Sequence, residues 1–247
     1  LSGTLLNVAL FGILRFDRIL HAAGQGTYAR GLLITMGFLS LFVSSVFVIS
    51  STNYKRMLAY SSIEHMGIIS IGIGIGGLGV FAALFHMIGH SLTKSSFFLT
   101  SGNVHDLTGS NSIESARGLG SRDPSTSALI VAGFLGVSAA PPFSTFASEL
   151  LLARALFGWN KLLLGLFLIL VIVILYGMGA RVLEITGRRG DRDSESNLSR
   201  NIDASRSRRF TGLYPQILLL AASAALGLYL PAPIAGMLHR AAAFLGG

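Results

Sequence analysis

Residues 81–103 read FAALFHMIGHSLTKSSFFLTSGN. The apolar content is that of a membrane-spanning helix, yet the stretch carries two histidines and a lysine. His86, His90 and Lys94 are spaced i, i+4, i+8, so on a helix they stack along one face over about two turns. An ionisable side chain at bilayer depth costs about 2.5–3.5 kcal/mol on insertion scales, and such groups face a bundle interior or a water-filled cavity. A polar contact between helices is the plain reading of one such residue. Three in line favour a path for protons or ions, because imidazole titrates near neutral pH and a buried lysine, unlike arginine, can give up its proton.

The same character extends over the whole chain. Hydrophobic residues make up 51% of the 247 and charged residues 12%, with a mean hydropathy of +0.65; soluble domains carry about 25% charged residues. The chain is predicted to be all-α, a polytopic transmembrane helix bundle of about eight spans. The net charge of +8 would suit nucleic acid. However, Arg188, Arg189, Arg192, Arg200, Arg206, Arg208 and Arg209 gather in one connecting segment, which fits the positive-inside rule better than a groove for phosphates. The bilayer is the expected partner, and nucleic acid is not. With no cysteine, the chain alone has no thiolate to ligate an iron–sulfur cluster. Its opening, LSGTLLNVALFGILRF, has no charged segment ahead of the apolar run. It reads as a chain entered partway along rather than as a signal peptide.

Spans are expected at about 3–17, 31–50, 57–76, 81–103, 126–140, 143–158, 161–184 and 214–230, with a short amphipathic tail beyond. This divides the chain into a transmembrane proton-channel bundle over 1–184, a flexible basic cytoplasmic loop over 185–212, and a C-terminal helix and tail over 213–247. Alternation of the spans puts that loop on the same side as Arg15, Arg18 and Arg30. Lys55 and Arg56 then fall on the opposite side, against the rule, and need a lipid headgroup or a functional site to explain them. The run GRRGDRDSESNLSRNIDASRSRR at 187–209 has too little apolar content to offset the entropy of ordering. A cysteine introduced by Ser196→Cys in this cysteine-free background is expected to resist an impermeant maleimide applied outside intact cells. Ready labelling there would reverse the orientation.

Three motifs remain. Gly72, Gly74 and Gly77 in GIGIGGLG match a dinucleotide fingerprint by letter, but the stretch closes a membrane helix and lacks the strand that the fingerprint requires. A tight turn or close helix packing is the better account. Glu64 and His65, in SSIEHMG, lie about two turns into the third span, where a carboxylate and an imidazole can exchange protons or, with a lysine, form a pair. In AAPPFSTFASELLL, Pro141 and Pro142 interrupt a helix, and Ser144, Thr145, Ser148 and Glu149 follow. Broken helices at membrane depth occur where backbone lines a cavity, and Glu149 would face it. No nucleophile–base pair, metal-ligand cluster or cofactor motif is recognised, so neither a cofactor nor a metal is expected in this chain.

The runs NYKRMLAYSSIEHMGIISIGIG, FHMIGHSLTKSSFFLTSGNV and GVSAAPPFSTFASELLL, in that order, resemble the antiporter-like proton-translocating membrane subunits. These occur in respiratory complex I, multisubunit sodium/proton antiporters and membrane-bound hydrogenases. The wording of SSIEHMG and HSLTKSSFFLTSGN looks most like the hydrogenase-4 component F branch. The resemblance implies a fold of fourteen helices with two inverted five-helix repeats, of which this chain resembles the last eight, with a broken helix after Pro141-Pro142. It also matches Lys55 to the lysine that follows the eighth helix, His86, His90 and Lys94 to the tenth, and Glu149 to the broken twelfth.

Asn7 stands where the family usually has a lysine, and asparagine cannot titrate. The first six helices are not in the sequence, so a fragment, a split gene product or a partner-supplied half is expected. The implied function is that of a membrane subunit of a redox-driven proton-translocating complex, of the hydrogenase-4/formate hydrogenlyase or complex I-like kind. It would sit in the inner (plasma) membrane with other membrane subunits and a peripheral redox arm, and do no redox chemistry itself. Its proton path would comprise Lys55, Glu64, His65, His86, His90, Lys94 and Glu149. A subunit of a cation/proton antiporter is the alternative, and an inactive structural remnant a third, favoured by Asn7.

Overall fold

Polar and glycine-rich breaks divide the apolar sequence into helices. The computed structural model describes residues 5–187 and 202–246. Helices α1 (Leu5–Ala22), α2 (Gly26–Ser50), α3 (Tyr54–Ile75) and α4 (Leu78–Thr108) follow one another through short turns. Two single-turn helices, α5 (Ile113–Ala116) and α6 (Leu119–Arg122), lead into α7 (Pro124–Val137). They are followed by α8 (Ser144–Trp159), α9 (Lys161–Thr186), α10 (Ile202–Leu228) and α11 (Ala232–Gly246). Side chains that accept from otherwise unbonded backbone N–H groups fix several starts. Asn53 accepts from Arg56 N, Asp123 from Ser125 N and Thr126 N ahead of Pro124, and Asn160 from Leu162 N and Leu163 N.

The glycine-rich stretch is both a turn and a packing surface. Gly76 and Gly77 reverse the chain with φ of +82° and +48°, which side chains rarely adopt. Just beyond, a Cβ on Gly79 would lie 2.5 Å from Gly72 O, and one on Gly72 would lie 2.7 Å from Gly79 O. The backbones of α3 and α4 therefore touch, as small residues permit between membrane helices. Helix α4 occupies the centre, packed by α3, α7, α8, α10 and α11. Its 31 residues rise about 46 Å, against about 30 Å of bilayer hydrocarbon. It outruns the expected 81–103 and takes in His105 and Asp106, which lie between the spans expected at 81–103 and 126–140.

Large apolar side chains point outward from α2 and α9, among them Phe42, Ile169, Ile172 and Leu183. Lipid, not water, is the medium that suits them. By length and composition α2, α3 and α9 can each cross a membrane, and Gly212–Leu228 with Ala232–Leu245, bent by 76°, can do so as a pair. The count of eight spans is therefore not reached on that measure, for a physical reason. Helix α1 carries Arg15, Asp17 and Arg18, α4 carries imidazoles and a lysine, and α7 and α8 have only 14 and 16 residues.

Near the ends of α2 and α9, Arg181 donates to Glu184 (3.0 Å) and to Ile49 O (2.8 Å), and Glu184 also pairs with Arg117 from the α5–α6 connection. The bond to Glu184 holds the exposed Arg117 guanidinium above its ordinary pKa. Such pairs contribute only about 0–1 kcal/mol each, and serve mainly to set register. Between α7 and α8, α10 crosses the diproline segment. A Cβ on Gly227 would lie 2.1 Å from Pro142 O, and the Ser144 and Ser223 hydroxyls bond at 2.8 Å. Half of the basic loop expected at 185–212, including Ser196, falls on residues outside those described. On its flanks α9 reaches Thr186 and α10 already begins at Ile202, so the expected loop is helical at its C-terminal end.

Candidate functional site

Because α3 and α4 are joined by a tight turn, residues equally far from Gly76–Gly77 face one another. Counting outward, His65 falls opposite Ile88, between His86 and His90, and Lys94 falls opposite Ala59, between Leu58 and Ser61. The side chains meet as this register requires. His65 Nδ1 lies 2.8 Å from His86 Nε2, and the His65 ring packs against His90 at 4.6 Å between centroids. Lys94 Nζ donates to Leu58 O at 2.8 Å and to Ser61 Oγ. His65, His90 and Lys94 are 0% exposed and His86 1%.

Helix α8 closes the far side of the cluster. Ser148 Oγ donates to Thr145 O at 2.9 Å and lies 2.9 Å from His86 Nδ1. A hydroxyl has one hydrogen. With it directed at Thr145 O, Ser148 accepts from His86 Nδ1–H. His86 Nε2 then accepts from His65 Nδ1–H, which leaves His65 Nε2 as a bare acceptor. That atom is buried and has no hydrogen-bond partner. The bonds thus run in one direction, from an open acceptor on α3 to the first turn of α8. Close contact keeps α8 in place, since a Cβ on Gly89 would lie 2.6 Å from Ser144 Oγ.

Of the expected residues, His65, His86 and Glu149 come together, each offering an atom within 4.8 Å of the others. Glu149 is half-buried, and Glu64 is buried on α3. Direct ion pairs among the described residues are Asp17–His21, Arg117–Glu184 and Arg181–Glu184, so Lys94 is held by neutral partners. Those partners accept from the amine in either charge state. Lys55 is not brought to the cluster. It is half-buried in the first turn of α3, nine residues before Glu64 and so about 13 Å along the helix. Asn7 Nδ2 donates to Ser91 Oγ at 2.8 Å, between the levels of His90 and Lys94. A cavity of about 850 Å³ reaches Lys94 past Leu5, Leu6, Ser40, Ser62, Met66 and Phe98.

Sequence reasoning passed over Ser61, and named Ser148 without its link to His86. Ser61 was findable, since it lies one turn before His65 on the same face of α3. The link from Ser148 to His86 depends on how a third helix docks.

Residues 1–175 match the family described as NADH:quinone oxidoreductase/Mrp antiporter, transmembrane. The chain belongs to this family. A hydrogenase-4 component F homolog of Methylacidiphilum infernorum is 40% identical over 186 residues, which cover 75% of this chain and 38% of that protein. The likeness to that branch read from SSIEHMG and HSLTKSSFFLTSGN is thereby upheld. Among solved structures, a chain of the membrane-bound sulfane sulfur reductase, an archaeal respiratory membrane complex, superposes with a TM-score of 0.80 at 25% identity. The match covers 99% of this chain and 48% of that one. A chain of respiratory complex I from Thermus thermophilus with bound NADH gives 0.79 at 23% identity, covering 99% and 51%, and speaks to the fold alone. This antiporter-family chain therefore has the all-helical, membrane-embedded, multi-pass fold of that family, and spans about half or less of each of these proteins. These relatives are subunits of multisubunit membrane complexes.

Proposed function

We propose that this chain is a membrane subunit of a redox-driven proton-translocating complex of the hydrogenase-4 or complex I-like kind, in the inner membrane. Protons pass along a buried axis of Lys94, His90, His65, His86 and Glu149, with Glu64 setting the charge beside it and Lys55 at its outer end. The observation that carries this reading is the continuous series of hydrogen-bond contacts from His65 through His86 to Ser148, at 2.8 and 2.9 Å. An imidazole that donates at one nitrogen and accepts at the other can take a proton on one side and release one on the other. Partner subunits supply the redox arm, and the chain carries charge, not electrons. In this reading α7 and α8, on either side of the break at Pro141-Pro142, count separately, and eight spans are reached by adding them, α1, α4 and α10 to the more apolar α2, α3 and α9.

Glu149→Gln tests the axis. It keeps the shape of the side chain and removes the titratable site. In the complete assembly in sealed vesicles, proton uptake per redox turnover is expected to fall by about tenfold or more, with the assembly intact on gel filtration. Unchanged proton uptake per turnover would make Glu149 a bystander and end the proposal for that residue.

A further inference from the structure

The sequence places His86 and His90 at i, i+4 on one helix face and shows no metal-ligand cluster. The structure groups a different trio. His65 on α3, His86 on α4 and Glu149 on α8 each offer one ligand atom, and the three atoms lie within 4.8 Å of one another. Two imidazoles and one carboxylate form a donor set used by three-ligand zinc sites, in which a fourth position stays open. Sodium, magnesium and calcium prefer shells of oxygen, so imidazole nitrogens select against them. His86 also has the outer partner that a metal-bound imidazole needs, because its Nδ1 is bonded to Ser148 Oγ at 2.9 Å and Nε2 is left for the ion.

We propose that His65, His86 and Glu149 form a binding site for a divalent ion of the zinc class. The ion takes the place of the hydrogen between His65 Nδ1 and His86 Nε2. The two nitrogens, 2.8 Å apart, open to about 3.3 Å to accept two bonds of about 2.0–2.1 Å at a tetrahedral angle. The displaced hydrogen moves to His65 Nε2, which has no other partner. His65 then remains a neutral ligand, and the carboxylate of Glu149 supplies the negative charge. Binding is a property of these three side chains and does not depend on proton conduction. That the bound ion also stops conduction follows only if the relay proposed above is right.

The test uses zinc alone with the intact membrane assembly in nanodiscs. Radiozinc equilibrium dialysis is expected to find one more high-affinity site in the wild type than in His86→Gln. Glu149→Gln is expected to weaken that site by at least about tenfold. X-ray absorption at the zinc edge is expected to show imidazole scattering that both variants reduce. Equal affinity and stoichiometry in the wild type and an assembled variant would overturn the site, and Glu149→Gln carries the test if His86→Gln fails to assemble. Proton flux separates the two proposals. Zinc that binds at these residues and leaves flux unchanged upholds the site and sinks the relay; flux lost in Glu149→Gln with zinc binding unaffected does the reverse.

Discussion

An assembly carrying Lys94→Met is expected to insert and assemble normally while losing proton movement by about two orders of magnitude, the lower range for deleting a proton-transfer group. Lys94 is among the largest fully buried side chains, and among the described residues its ammonium donates to Leu58 O and Ser61 Oγ. Methionine keeps much of the aliphatic stem and fills irregular gaps. It leaves neither partner stranded, since Leu58 O also receives the hydroxyls of Ser61 and Ser62 at 3.1 Å. Removing a charge from bilayer depth also favours insertion. Lys94→Arg is the sharper variant, because arginine keeps its proton at any physiological pH. Lys94 is fully buried, so assembly of the Lys94→Arg complex is checked by gel filtration, and failure of an intact assembly reports charge and not crowding. Arginine is expected to fail nearly as badly as methionine. Proton flux at the wild-type rate in an assembled Lys94→Arg complex would refute the relay role.

The second large effect is steric. In Gly227→Ala the new methyl would sit 2.1 Å from Pro142 O, 2.5 Å from Phe143 C and 2.7 Å from Ser144 N. All three are backbone atoms, so no side chain can swing aside, and α10 must move off the diproline segment and break the Ser144–Ser223 bond. Overpacking costs typically about 1–3 kcal/mol and sometimes more; a loss at the top of that range is expected in thermal or denaturant melts of the assembly. Gly212→Ala, on the same helix with nothing within 4 Å, is the control and is expected to be near neutral. Equal melts for the two variants would show that α10 does not cross at Pro142.

Much of this was legible in the sequence where the signal is local. The line of His86, His90 and Lys94 follows from helical periodicity alone, and the runs at 31–50 and 161–184 announce α2 and α9 by hydropathy. The ends of α4 were not legible, because its last turns carry His105 and Asp106 and read as loop by composition. The pairing of His65 with His86 depends on the register of two antiparallel helices, which the glycines at 76 and 77 set; the same glycines were read as a turn or packing element without the count being made. Lys55 illustrates the opposite limit. Its place on the wrong side of the charge pattern marked it out, yet a residue about two and a half turns of α3 from Glu64 cannot touch the cluster. The meeting of Glu149 with both histidines required the docking of α8, which no spacing in the sequence encodes.

If the proposed relay is right, the one-way bonding of His65, His86 and Ser148 makes it a wire with memory. In the proposed relay, each proton taken up at His65 Nε2 and released from His86 Nδ1, with the neighbouring Glu149 carboxylate as its final acceptor, leaves both imidazoles with their hydrogens on the opposite nitrogen, and a second proton cannot follow through the reversed bonds. Spinning the rings would restore the pattern, but both are buried and His65 is packed against His90. Re-arming must therefore come from a coordinated back-shift of hydrogens or from a motion that parts α3 from α8. Throughput is then limited by the recovery time of the wire, not by the hop. A fast first proton followed by slower ones is the expected signature in a pre-steady-state record.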